Sequence, residues 1–267
     1  MSVALDRDIA SIIMLIGAAI GLSLGAVGAI KARTPTLLIG VAVLFYSLTG
    51  LTYVPLMGAP AEPLDMMSRV WGAMTAVIAG ACILGVVSEN RNTLRGVADG
   101  PRSRWTILLS MIAAVSLAAI YYVLKPYSDL PASTDFLNEY GHLPGVFVYQ
   151  IIFAIWIAVP ASSLGFSLGR TSSLGWPRWL VAAGGACAAA WGIWKVGGVF
   201  GAVAGIETAA ASPVSVALGL SALVLCVSGL VIIRWRELIA ARRERIAYRQ
   251  ERAAEDELFR STGSGSP

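Results

Sequence analysis

Lys195 stands in the middle of a long apolar run, an unusual place for an ionisable side chain. Holding a charge at membrane depth costs at least about 2.5–3.5 kcal/mol, so such a residue marks a candidate site by default. Counted from Arg178 to Ile206 at 1.5 Å per residue, Lys195 lies roughly 4 Å outward of the midpoint of its run. Helical spacing puts it on one face with Gly184, Ala188, Trp191 and Ala202. Arg69 opens another run at the same outer end, and no run interior contains Asp or Glu. Polar and aromatic residues gather at a similar depth. Tyr46, Thr49 and Tyr53 share a face, Tyr121 and Tyr122 close one run, Tyr149 and Gln150 open the next, and Trp191 and Trp194 flank the lysine. Together they fit the walls of an outward-open cavity for an anionic or amphiphilic small ligand. A structural reading of the same residues stays open. Arg69 would then reach the outer headgroups, the Tyr and Trp residues would form an interfacial belt, and Lys195 would bond a tyrosine, a carbonyl, or an infolded Asp129, Glu139 or Glu207.

The templates of enzyme chemistry are nearly empty. Gly21-Leu-Ser-Leu-Gly25 and Gly165-Phe-Ser-Leu-Gly169 fit the nucleophile-elbow pattern. That motif needs a strand-to-helix turn, and both lie in or at the end of apolar runs. A serine nucleophile also needs a base, and the only histidine, His142, falls in an outer loop. One histidine and three cysteines, Cys82, Cys187 and Cys226, each inside an apolar run, suit neither a zinc site, a haem nor a disulfide framework. A non-enzymatic protein without cofactor or metal is expected. No folded soluble platform for nucleic acid is visible.

The elements that must position these residues are membrane helices. Hydrophobic residues make up 57 % of the 267 and charged ones 13 %, with a mean hydropathy of +0.72. Average soluble domains are about 25 % charged. Seven runs reach the roughly 20 residues a spanning helix needs: Ile9–Ile30, Thr36–Leu56, Met67–Ser88, Trp105–Leu124, Val146–Leu168, Trp179–Ile206 and Pro213–Ile233. The first is too long, and its Asp6-Arg7-Asp8 leader too acidic, for a cleaved signal peptide. The fold class is therefore all-α, a polytopic membrane protein of the cell membrane.

Lysine and arginine set its orientation. With the N-terminus outside, sixteen of the twenty basic residues fall on the inner side, and the outer side carries Asp6, Asp8, Glu62, Asp65, Asp129, Asp135, Glu139 and Glu207. Residues 1–233 then form the bundle, 234–260 a basic cytoplasmic extension of the last helix, and 261–267 a disordered tail. Ile239, Ile246 and Ala253 recur every seven residues along the extension. It would lie near anionic headgroups or dock a cytoplasmic protein. Gly17, Gly21, Gly25 and Ala29 repeat every four residues, as do Gly197, Gly201 and Gly205, and again Gly184, Ala188 and Gly192. Such ladders let helices approach closely, within the bundle or across a dimer seam. Pro160 should free the Trp156 carbonyl and kink its helix.

Two segments carry a resemblance. Thr134-Asp-Phe-Leu-Asn-Glu-Tyr140 leads through Pro144 and Tyr149 into the fifth span, and Leu174-Gly-Trp-Pro-Arg-Trp-Leu180 leads into a Gly/Ala-rich sixth span ending near Trp194-Lys195. Both resemble a group of actinobacterial seven-span membrane proteins described as transporters, many with a cytoplasmic domain of unknown function. The likeness covers the second half of the chain, and Lys195 is the one position that matches. This chain departs by ending about 30 residues after its last span. Two functions follow as expectations: a ligand-sensing or scaffolding bundle coupled to a cytoplasmic partner, or a transporter of a small anionic or amphiphilic solute. The odd span count and the absence of intramembrane carboxylates weigh against the second. A retinal pigment fits less, because its lysine belongs on the last span with a carboxylate counter-ion.

Overall fold

A computed structural model describes residues 2–30, 34–53, 65–94, 102–133, 136–206 and 213–263. Eight α-helices occur among them: α1 (Ser2–Ile30), α2 (Thr34–Tyr53), α3 (Met66–Leu94), α4 (Arg102–Leu124), α5 (Phe136–Tyr140), α6 (Pro144–Gly169), α7 (Pro177–Val203) and α8 (Pro213–Gly263). All but the five-residue α5 are long and apolar enough to cross a bilayer, giving the seven spans expected. Their alternating direction gathers Asp65, Asp129 and Glu139 at one end, the acidic end, and Arg170, Arg178 and Arg234 at the other, the basic end. An odd number of spans puts the two ends of the chain on opposite faces. Tyr53 closes α2, and the rest of the expected second span lies outside the described residues. At the other extreme, α8 continues through Gly263, three residues into the segment expected to be disordered; residues 264–267 lie outside the described set.

Each span packs chiefly on its neighbour in sequence, and α3 and α6 form the centre. α3 touches α2, α4 and α6, and α6 touches α3, α4 and α7. α4 turns Ile107, Leu108, Met111, Ile112 and Val115 outward, the arrangement of a helix that faces hydrocarbon. One core cluster joins α3, α4, α6 and α7 toward the acidic end and includes Val77, Ile120, Tyr149, Trp156 and Trp191. A second fills the basic half, with Ile39, Val43, Ile83, Leu164, Val181 and Leu230.

The glycine ladders act mostly inside the bundle. A Cβ on Gly21 would strike the backbone of Leu44, and one on Gly40 would strike that of Gly25, so α1 and α2 meet main chain to main chain. Gly165 and Gly185 let α6 and α7 meet main chain to main chain as well, somewhat less tightly, while Gly184 seats Cys226 of α8. The Gly197, Gly201 and Gly205 series breaks down. A Cβ at Gly197 would meet nothing within 4 Å, and Gly205 ends α7 with φ of 71°. There the Gly205 N–H donates to the Ala202 carbonyl and the Ile206 N–H to that of Gly201, a glycine-capped C-terminus. The sequence reading had carried this span to Ile206; the chain leaves the helix after Val203.

Pro160 stands inside α6, and the carbonyl it leaves free has a specific partner. Without an amide proton it cannot donate to the Trp156 carbonyl four residues back. The Tyr46 hydroxyl of α2 donates to that carbonyl at 3.0 Å instead. Lipid offers no water for the purpose, so the side-chain donor stands in for the lost backbone bond. Tyr46→Phe should therefore cost about 1 kcal/mol. Combined with Pro160→Ala, which restores the helical donor, the same change should cost almost nothing. A double-mutant cycle from denaturant unfolding in detergent reads that coupling directly.

Candidate functional site

The site is built at the acidic ends of α3, α6 and α7 and roofed by the connection between α4 and α6. Position 65 starts α3: the Asp65 carboxylate accepts from the Ser68 N–H at 2.7 Å, an N-cap. The Ser68 hydroxyl and N–H, together with the nearby Arg69 charge, hold that carboxyl below its usual range. One residue further along α3, Arg69 points inward and is only 7 % exposed.

Arg69 is the fastening of the roof. Its Nη2 donates to the Ser133 carbonyl at 2.8 Å, and its Cζ lies 3.9 Å from the centre of the Phe136 ring. Phe136 and Leu137, the apolar start of α5, are buried with Ser133. α5 rests against α7, where Leu137 packs with Val199 and Ala202. The sequence placed this stretch outside the hydrocarbon as a polar loop and sent Arg69 either to the headgroups or to a cavity wall. The structure folds the loop back onto the bundle and spends the guanidinium on holding it. The carbonyl bond and the Phe136 ring face give the guanidinium partners in place of water and offset part of its desolvation.

From Arg69 an aromatic column crosses to Lys195. The Tyr149 hydroxyl donates to the Arg69 carbonyl at 3.4 Å, and Tyr149 is fully buried. Its ring stacks on Phe153, with centroids 6.1 Å apart and planes 22° apart. Phe153 meets Trp191 edge to face at 6.0 Å. The Lys195 Nζ sits 5.9 Å from the centre of the Trp191 ring, within cation–π range. Three rings thus run from the Arg69 main-chain carbonyl to the Lys195 ammonium, linking two cationic residues from different spans.

Of the residues singled out from sequence, four are brought together: Arg69, Tyr149, Trp191 and Lys195. Tyr46 lies deeper, committed to the Trp156 carbonyl. Trp194 is 41 % and Tyr121 49 % exposed, and neither joins the column. The side chain of Tyr53 lies outside the described residues. Asp129 and Glu139, considered as infolded partners for Lys195, are exposed, and Glu207 falls outside the described residues. Phe153, Phe136 and Ser133 were missed. Phe153 is one turn from Tyr149, a spacing that could have found it; Ser133 offers only a backbone carbonyl, which no side-chain motif reveals.

Thr49 and Thr75 share a buried hydrogen bond at 2.8 Å between α2 and α3, which joins these helices without lending chemistry to the column. Among the described residues no group of three His, Cys, Asp or Glu gathers into a metal site. Comparison of the chain with known families, curated proteins and solved structures returned no match, so the bundle and its two-cation column stand on their own chemistry.

Proposed function

We propose that this multi-pass protein is a non-enzymatic sensor of the cell membrane, with its acidic end outside and its basic end in the cytoplasm. An anionic or amphiphilic small ligand is held between Arg69 and Lys195, and the response passes through α7 and α8 to a cytoplasmic partner. The observation that carries this reading is the convergence of two cations on one aromatic column beneath a docked loop. A carboxylate between them would relieve their mutual repulsion and compete with the Ser133 carbonyl for Arg69. Binding would then loosen the roof that α5 presses onto α7. α7 packs along α8, so a shift of one moves the other.

The test uses radiolabelled decanoate, a single-chain carboxylate, with the full-length protein in nanodiscs. Saturable binding above that of empty nanodiscs is expected, weakened at least tenfold by Lys195→Met, as loss of about 1.4 kcal/mol implies. Binding equal to empty nanodiscs overturns the reading. Accumulation of decanoate inside proteoliposomes, abolished by Lys195→Met, would make the chain a transporter instead.

A further inference from the structure

α8 does not stop where its apolar span ends. Ile233 is the last buried residue of the span, and the same helix runs on for 30 residues to Gly263. On this extension Trp235, Ile239, Arg242, Ile246 and Arg249 follow one another at intervals of four, three, four and three residues. That is the spacing of a single helix seam. Trp235 is 64 %, Ile239 39 % and Ile246 48 % exposed, and Arg242 and Arg249 are exposed between and beyond them. Arg236, beside the seam, approaches Gly175, while the seam residues themselves are exposed.

From these positions we infer that the seam is a docking surface for an acidic amphipathic helix of another protein, one that alternates aliphatic residues with Glu or Asp. The inference rests on the signalling reading above and names the chemistry of its partner. Three occupants compete. A second copy of this chain emerges from the same face of the membrane, so its helix could pair only in parallel. Parallel pairing sets Arg242 on Arg242 and Arg249 on Arg249 at seam positions, like charges with no compensation. Anionic headgroups are too far from Arg249, the outer of the two seam arginines, and only at the edge of reach of Arg242. At 1.5 Å per residue, continuation of the helix carries Arg242 about 14 Å and Arg249 about 24 Å beyond Ile233. The headgroup layer is about 5–7 Å thick, and attraction fades beyond a Debye length of about 8 Å. An acidic helix remains. Its aliphatic residues would cover Ile239 and Ile246, and its carboxylates would meet the two arginines as charge-assisted pairs.

The probe is a fluorescent synthetic peptide of four heptads with leucine at the seam, interrupted by glutamate opposite the arginines. It is titrated against the full-length protein in phosphatidylcholine nanodiscs, with no decanoate present, so the outcome is independent of the ligand site. Saturable binding is expected, weakened roughly tenfold or more by Ile246→Glu, a loss of about 1.4 kcal/mol. The double variant Arg242→Glu/Arg249→Glu should lose the glutamate peptide and gain a lysine-for-glutamate version of it. Both variants change exposed residues, so the bundle remains folded and its elution profile checks this. Failure of the peptide to bind, or equal binding of both peptides by wild type, overturns the inference. So does loss of peptide binding when phosphatidylserine is added to the nanodiscs, since the helix would then lie on lipid.

Discussion

Gly40→Leu is expected to abolish a monodisperse folded protein, while Gly25→Ala, at the other side of the same contact, leaves the elution profile and Tm unchanged. The two glycines face each other across α1 and α2, yet their Cα–H vectors differ. A Cβ at Gly40 would overlap the main-chain N and Cα of Gly25, whereas one at Gly25 would meet nothing within 4 Å. Backbone cannot rotate aside as a side chain does, so α1 must move off α2 along its length. Overpacking a core side chain costs about 1–3 kcal/mol; collision with main chain in a ladder of close approach lies at or above the top of that range. Size-exclusion yield and a thermal unfolding midpoint for the two variants check the contrast. Equal behaviour of both would mean that this seam does not hold α1 and α2 together.

Arg69→Ala should release the α4–α6 connection without unfolding the spans. The substitution removes the donor to the buried Ser133 carbonyl and the cation on Phe136. Loss of a hydrogen bond from a charged group costs roughly 1.5–3 kcal/mol. The larger figure corresponds to about a hundredfold shift in the local opening equilibrium, 1.4 kcal/mol being a factor of ten. Hydrogen exchange reports it where the Gly141 N–H donates to the Leu137 carbonyl and the Leu143 N–H to that of Tyr140. These amides should exchange faster in the variant, with those of α6 beyond Phe153 unchanged. Arg69→Lys should fall between, because an ammonium keeps the charge and loses the planar fork that spans carbonyl and ring. Unaltered exchange at Gly141 would show that the roof is held by α5 packing alone.

What the sequence made legible follows the range of the interaction that decides it. The spans could be read because hydropathy is a property of each run by itself, and each of the seven expected runs lies within or largely within one helix. Pro160 could be read because its effect is confined to the carbonyl four residues back. That Tyr46 answers it could not, since donor and acceptor are 110 positions apart. The inward turn of Arg69 depends on Ser133, 64 positions away, and on two apolar residues, Phe136 and Leu137, hidden in a polar stretch. Trp191 and Trp194, both shortly before Lys195, look equivalent in the sequence. Three positions along a helix leave them only about 60° apart, and the packing of α6 decides which of them faces in. Gly205 belonged to a regular series by spacing, but a positive φ makes it a cap rather than a contact.

Every functional statement depends on how the chain is threaded. An odd number of crossings sends its two ends to opposite faces, and in the orientation proposed from the distribution of Lys and Arg the α8 extension lies in the cytoplasm. Epitope tags fused before Met1 and after Pro267, probed in sealed cells and again after permeabilisation, measure this directly. The N-terminal tag should bind antibody in sealed cells, and the C-terminal tag only once the membrane is opened. Both tags on one face would contradict the seven crossings. A reversed pair would turn the two-cation column toward the cytoplasm and take the α8 seam away from any partner there.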